Sequence, residues 1–194
     1  MKTTIRKIAV TGIMGALSFV LMLLEFPLPF LIPSFIKFDF SDIPALIVSF
    51  ALGPGYGVLV CLIKNLIHLP FSQTSGVGEL ANFLLGAMFA LCAGLVYKYN
   101  NSRNGAIFAS LAGALAMAVI SLPINYFITY PFYFNFLPKD VIVGMYSAIN
   151  PNADNLFKAL LYFNVPFTFM KGLIDSLICI VIYKKISPVL KPKL

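Results

Sequence analysis

Long apolar runs with almost no charge set the fold class of this chain. From Ala106 to Tyr130 there is not one acidic or basic side chain. A helix needs roughly 20 mostly apolar residues to cross a bilayer. Hydrocarbon offers no partner for a backbone N–H or C=O, so an open sheet is excluded there and helices are required. Of the 194 residues, 60% are hydrophobic and 11% charged. A soluble domain is about a quarter charged. The expected fold is all-α: a single integral membrane bundle of about six transmembrane helices.

Turn signals divide the chain into helices at approximately 5–24, 42–52, 55–69, 79–99, 106–130 and 156–186. Pro27, Pro29 and Pro33 prevent a regular helix after the first span. Ser41 or Asp42 is placed to cap the short second helix, with Pro44 in its first turn. Gly53-Pro54-Gly55, Pro70 and the run Asn100 to Gly105 mark further ends. Interruptions are expected near Pro123 and Pro166. Pro131 to Asn155 reads as a long aromatic and polar loop. The basic head and apolar run of residues 1–24 resemble a signal peptide. The run continues into Glu25-Phe26-Pro27 with no small-x-small cleavage site, so a retained first helix is expected.

The net charge of +7 raises the question of a nucleic-acid partner. Its distribution answers otherwise. With both termini in the cytoplasm and six alternating helices, the inner side receives Lys2, Arg6, Lys7, Lys98, Arg103, Lys184, Lys185, Lys191 and Lys193. The outer side receives Lys37, Lys139 and Lys158, together with Glu25, Asp39, Asp42, Asp140 and Asp154. That asymmetry follows the positive-inside rule and points to a multi-pass plasma-membrane protein, not to a nucleic-acid binder.

Little in the chain suggests catalysis. No G-x-x-x-x-G-K-[ST] phosphate loop occurs, so the chain cannot hydrolyse ATP by that route, and any process energised by ATP would need another subunit to do so. His68 stands alone and makes no metal site. Cys61, Cys92 and Cys179 sit apart in apolar runs and read as small core residues. No catalytic residue and no metal is expected.

The polar residues gather elsewhere. On the expected topology, the stretch Phe38-Asp39-Phe40-Ser41-Asp42, then Glu79 and Asn82, Asn125 and Tyr126, and the start of the last helix share the outer side. Their convergence suggests a pocket open to the outside. Lys171 is costly inside a span unless paired or hydrated. Asp175, one turn on, could neutralise it, or Lys171 could present a donor to a ligand carbonyl. Lys64 could pair with Asp42 or with Glu79. The aromatics are core or interfacial residues by default, and those beside polar groups could flank a planar ring. On the first helix, Gly12 and Ala16 with the adjacent Gly15 make a strip of small residues. It serves either internal packing or close approach of another helix.

Taken in order, Phe38-Asp39-Phe40-Ser41-Asp42-Ile43-Pro44, Gly53-Pro54, Lys64-Asn65, Ala81-Asn82-Phe83, Asn125-Tyr126 and Pro166-Phe167-Thr168-Phe169-Met170-Lys171-Gly172 resemble the riboflavin-specific S components of energy-coupling factor (ECF) transporters. The resemblance spans nearly the whole chain. It implies a six-helix membrane protein that binds riboflavin from outside. It also implies a transmembrane coupling subunit and two cytoplasmic ATPases as partners, with Gly12, Gly15 and Ala16 as the docking strip. The implied substrate contacts come from the loop with Phe38, Asp39, Phe40 and Asp42, from Asn82 and Asn125, and from the last-helix motif with Thr168 and Lys171; the reading of the residues themselves adds Glu79, Tyr126 and Asn164. Riboflavin would be cargo, not a cofactor. One position departs from the pattern: Thr168 stands where the family usually has Asn, and Asn164 lies one turn earlier. The alternatives are an S component for a pantothenate-like or pterin-like vitamin, or a membrane scaffold with no transport role.

Overall fold

The computed structural model describes residues 2–190. Of the charges that the topology assigns to the inner side, Lys191 and Lys193, and the side chains of Lys2, Arg103, Lys184 and Lys185, lie outside the described residues. The chain forms α1 (Lys2–Leu23), a two-stranded pair β1 (Phe26–Pro27) and β2 (Lys37–Phe38), then α2 (Asp42–Leu52), α3 (Pro54–His68), α4 (Val77–Tyr99) and α5 (Arg103–Ile124). A π-helical segment, Asn125–Thr129, leads into α6 (Tyr130–Tyr133). There follow α7 (Lys139–Ser147), α8 (Leu156–Ala159), a second π segment, Leu160–Asn164, and α9 (Val165–Leu190). Among the described residues, five helical stretches are long and apolar enough to cross a membrane, and α2 is a shorter apolar helix.

Neighbouring helices pack side by side: α4 along α5, α5 along α9, and α3 against α1, α2 and α4. The large apolar side chains left outside, such as Ile13, Phe108, Val119, Phe127 and Val181, belong to these spans and suit contact with acyl chains. The helix α2 is buried along most of its length. It can be short because Gly53, at φ +113°, reverses the chain at once into α3.

Three departures from the sequence reading have physical causes. The all-α class holds, and within it the sequence reading omits the small pair β1–β2, in which Phe26 opposes Phe38 and Pro27 opposes Lys37. Two residues per strand leave no period to read. The expected loop after Pro131 contains α7, whose inward face is Ile142 and Tyr146 one turn apart. The capping expectation also fails. Ser41 occupies the N-cap position of α2, yet its side chain makes no cap bond. Its hydroxyl instead accepts from Lys64 Nζ at 2.6 Å.

Both π segments lie beside prolines. Pro123 precedes the first by two residues, Pro131 follows it, and Pro166 follows the second. Proline has no N–H to give the carbonyl four residues back, so the ladder widens by one residue nearby. Thus Tyr130 N–H bonds to the Asn125 carbonyl and Val165 N–H to the Leu160 carbonyl. Such bulges are frequent at functional sites because they turn side chains off the regular helical face.

Candidate functional site

A cavity of about 450 Å³ lies between the helices and is lined from α1 to α6, β2, α9, both π segments and the loops between them. That volume is in the range of small-molecule sites.

A buried charge network forms one side. Asp42, at the first turn of α2, is 1% exposed. One of its oxygens accepts from Lys64 Nζ and the other from Lys171 Nζ, each at 2.6 Å. Lys171 also lies 3.4 Å from Asp39 Oδ1. Asp39 Oδ1 accepts the Ser41 N–H at 2.7 Å. The Ser18 hydroxyl donates to the Ser41 carbonyl, which ties α1 to the same cluster. The cluster therefore joins α1, α2, α3 and α9. Gly86 on α4 is required beside it, since a Cβ there would sit 2.7 Å from Asp42 Oδ1. The two lysines differ in access. Lys171 lines the cavity; Lys64 is fully buried and does not.

The proposed self-neutralising pair of Lys171 and Asp175 is not formed. Lys171 reaches across to Asp42 and Asp39, and neither Asp175 oxygen accepts a hydrogen bond from a described residue. Lys64 pairs with Asp42, not with Glu79. Glu79 instead accepts from His68 Nδ1 at 3.0 Å, from the Ser72 hydroxyl at 2.6 Å and from the Thr74 hydroxyl at 3.3 Å. It fastens the loop between α3 and α4 at one edge of the cavity. Glu25 and Lys37, 2.5 Å apart and partly exposed, line another part.

The π segments supply amides and hydroxyls. Asn125 Nδ2 donates to the Ser121 carbonyl at 2.8 Å. Asn125, Thr129 and Asn164 all line the cavity. So does Thr168, one turn beyond Asn164. Phe35, Tyr130, Tyr133 and Phe167 add aromatic surface.

Of the residues singled out in the sequence, Asp39, Asp42, Glu79, Asn82, Asn125, Asn164, Thr168 and Lys171 border this one space. Phe38 and Phe40 do not. Their rings pack on each other at 5.2 Å and on Phe26, and Phe38 also meets Phe167. They support the wall from behind. Tyr126 also lies outside the cavity lining. It is 38% exposed, against Phe127 and Phe157, because the wide π turn places its neighbour Asn125 inward and Tyr126 out. The sequence reading missed Phe35, Thr129 and Phe167 as cavity residues. No local pattern separates them from ordinary core positions.

The small-residue strip of α1 divides. Gly12 and Ala16 are exposed on the outer face, and a Cβ at Gly12 meets nothing within 4 Å. Gly15 is buried: a Cβ there would lie 2.6 Å from Ile63 of α3. Gly15 is therefore an internal contact and does not belong to an outward docking strip.

The arrangement has the form of a binding pocket set within a membrane bundle. The family model described as "ECF transporter, substrate-specific component" matches residues 6–183. The chain is 33% identical over 186 residues to the riboflavin transporter RibU of Staphylococcus aureus, covering 96% of this chain and 93% of that one. It is 31% identical over 188 residues to the riboflavin transporter FmnP of Bacillus subtilis, covering 95% and 93%. A solved S component of a bacterial ECF transporter superposes with a TM-score of 0.76 at 32% identity, covering 97% of this chain and 99% of that one. The chain belongs to the substrate-specific components of ECF transporters. It is a multi-pass protein of the bacterial plasma membrane, a transport component that works with an ECF module and not an enzyme.

Proposed function

We propose that this S component binds riboflavin from the outer face and passes it to the cytoplasm with a transmembrane coupling subunit and two ATPases. The observation that carries the reading is the cavity itself. It joins a lysine–carboxylate cluster and three amide or hydroxyl residues on the π segments to aromatic walls, within a volume suited to one small molecule. The flavin ring has the same division. Its pyrimidine edge alternates donors and acceptors, which suit Lys171, Thr168, Asn164 and Asn125. Its benzenoid part is apolar and suits the aromatic lining. The ribityl hydroxyls suit Asp39 and the polar residues near Glu79. Both relatives described above carry riboflavin in their names. A pantothenate-like ligand has no aromatic ring to meet Phe167 and Tyr133, so the pocket favours it less.

In this reading both termini face the cytoplasm, and the exposed Gly12 and Ala16 form the approach surface for the coupling subunit. Purified protein from cells grown with the vitamin should carry it. Mass spectrometry of the denatured preparation is expected to release riboflavin in near one-to-one amount. Release of a different vitamin in that amount would overturn the reading.

A further inference from the structure

Asp175 stands apart from the other buried charges. It is 0% exposed, and neither carboxyl oxygen has a hydrogen-bond partner among the described residues. Lys171 lies one turn before it on α9, at the spacing where side chains share a helical face. Yet Lys171 bonds to Asp42 at 2.6 Å and lies 3.4 Å from Asp39. Cys179, one turn after Asp175, is a buried free thiol. The charges that act on Asp175 are Lys171 on its own helix, Lys64 on α3, Asp42 on α2 and Asp39 just before α2. The helix α5 also packs along α9, and it has no acidic or basic side chain from Ala106 to Ile124.

The cluster is unbalanced. Three carboxyl groups, Asp39, Asp42 and Asp175, share the interior with two ammonium groups, Lys64 and Lys171. Fully ionised, it would hold one negative charge in excess. A buried carboxylate with no compensating partner is so costly that the group neutralises instead. A metal ion does not meet the need, because no three His, Cys, Asp or Glu side chains among the described residues are placed to hold one. A proton does. Its place follows from the bonds. Asp42 accepts from both ammonium groups, and Asp39 accepts the Ser41 N–H at 2.7 Å beside Lys171. Donors of this kind favour the ionised carboxylate. Asp175 has none.

We propose that this cluster is a proton-binding site: the Asp175 carboxyl carries one proton, taken up from water, and thereby leaves the Lys171 ammonium with Asp42 and Asp39 at the cavity wall. An ionised Asp175, one turn away, would compete for that ammonium. The neutral acid does not. Asp175 does not line the cavity, whereas Lys171 does. Asp175 is therefore a positioning residue that acts on the cavity through Lys171. The proton belongs to the protein and does not depend on which vitamin the cavity takes.

Infrared absorption of the purified, ligand-free protein in detergent at neutral pH tests the site. A protonated carboxyl group absorbs apart from carboxylates and amides. The chain has only seven acidic side chains, so a single –COOH can be resolved. Wild type is expected to show one such group per chain, and Asp175→Asn to lose it. The amide is a neutral stand-in for the acid, so Asp175→Asn should keep nearly the melting temperature and riboflavin affinity of wild type. No such band in wild type, or a band that survives Asp175→Asn, overturns the proposal. So does a folded Asp175→Asn protein with lost flavin affinity, the mark of an ionised counterion to Lys171. If Asp175→Asn does not fold, Asp175→Leu, apolar and of similar size, takes its place. Heavy-carbon labelling of the aspartate carboxyl groups then also tests wild type, where a band that does not shift overturns the proposal.

Discussion

Asp42→Ala is expected to leave little folded protein. The substitution strands two buried ammonium groups, Lys64 and Lys171, that each lie 2.6 Å from the lost carboxylate. Removing one partner from a buried ion pair typically costs about 3–5 kcal/mol, because the remaining charge has neither water nor a counterion. Asp39 is 3.4 Å from Lys171 and offsets part of that cost; among the described residues Lys64 keeps the neutral Ser41 hydroxyl at 2.6 Å and no second carboxylate. The double variant Asp42→Ala/Lys64→Met removes one charge of each sign and leaves Lys171 with Asp39. It should recover most of the loss, since a buried pair can be exchanged for apolar groups at little cost. Thermal unfolding of the purified variants in detergent measures both. Unchanged melting of Asp42→Ala would show that the charge network does not hold the bundle together.

Gly12→Leu or Ala16→Leu is expected to abolish uptake while leaving vitamin binding by the isolated protein nearly intact. Both positions are exposed on α1 and neither lines the cavity. A leucine there disturbs no internal packing, but it holds back a helix that must approach closely. Gly15→Leu provides the contrast. It drives a side chain into Ile63. Overpacking of that kind costs typically 1–3 kcal/mol, so melting temperature and binding should fall together. The paired measurement is flavin binding in detergent and ATP-dependent uptake in vesicles reconstituted with the module. Normal uptake by Gly12→Leu and Ala16→Leu would place the partner elsewhere on the bundle.

What could be read from the sequence divides along physical lines. The spans were legible because hydrocarbon demands length and apolarity, and Gly53-Pro54 and the Asn100–Gly105 turn punctuate them. The cost of a buried charge singled out Lys171 correctly as an unusual residue, but not its partner. Asp175 was the local choice at helical spacing, whereas the actual partner, Asp42, is 129 residues away. Only tertiary structure reports such a contact. The helix α7 was hidden for a different reason. It has nine residues, includes Gly144, and carries polar residues around a face of two. It holds its place through Ile142 and Tyr146 against the aromatic cluster, not through its own pattern. Tyr126 was misplaced because a helical register assumed through Asn125 fails where the turn widens to a π segment.

The central claim is that this cavity binds riboflavin, and a fluorescence titration of the purified, ligand-free protein in detergent tests it most directly. The account predicts saturable quenching of riboflavin fluorescence at one flavin per chain, unaffected by excess pantothenate or pterin, with a rise in melting temperature on binding. Absence of quenching, with stabilisation by another vitamin instead, would contradict it.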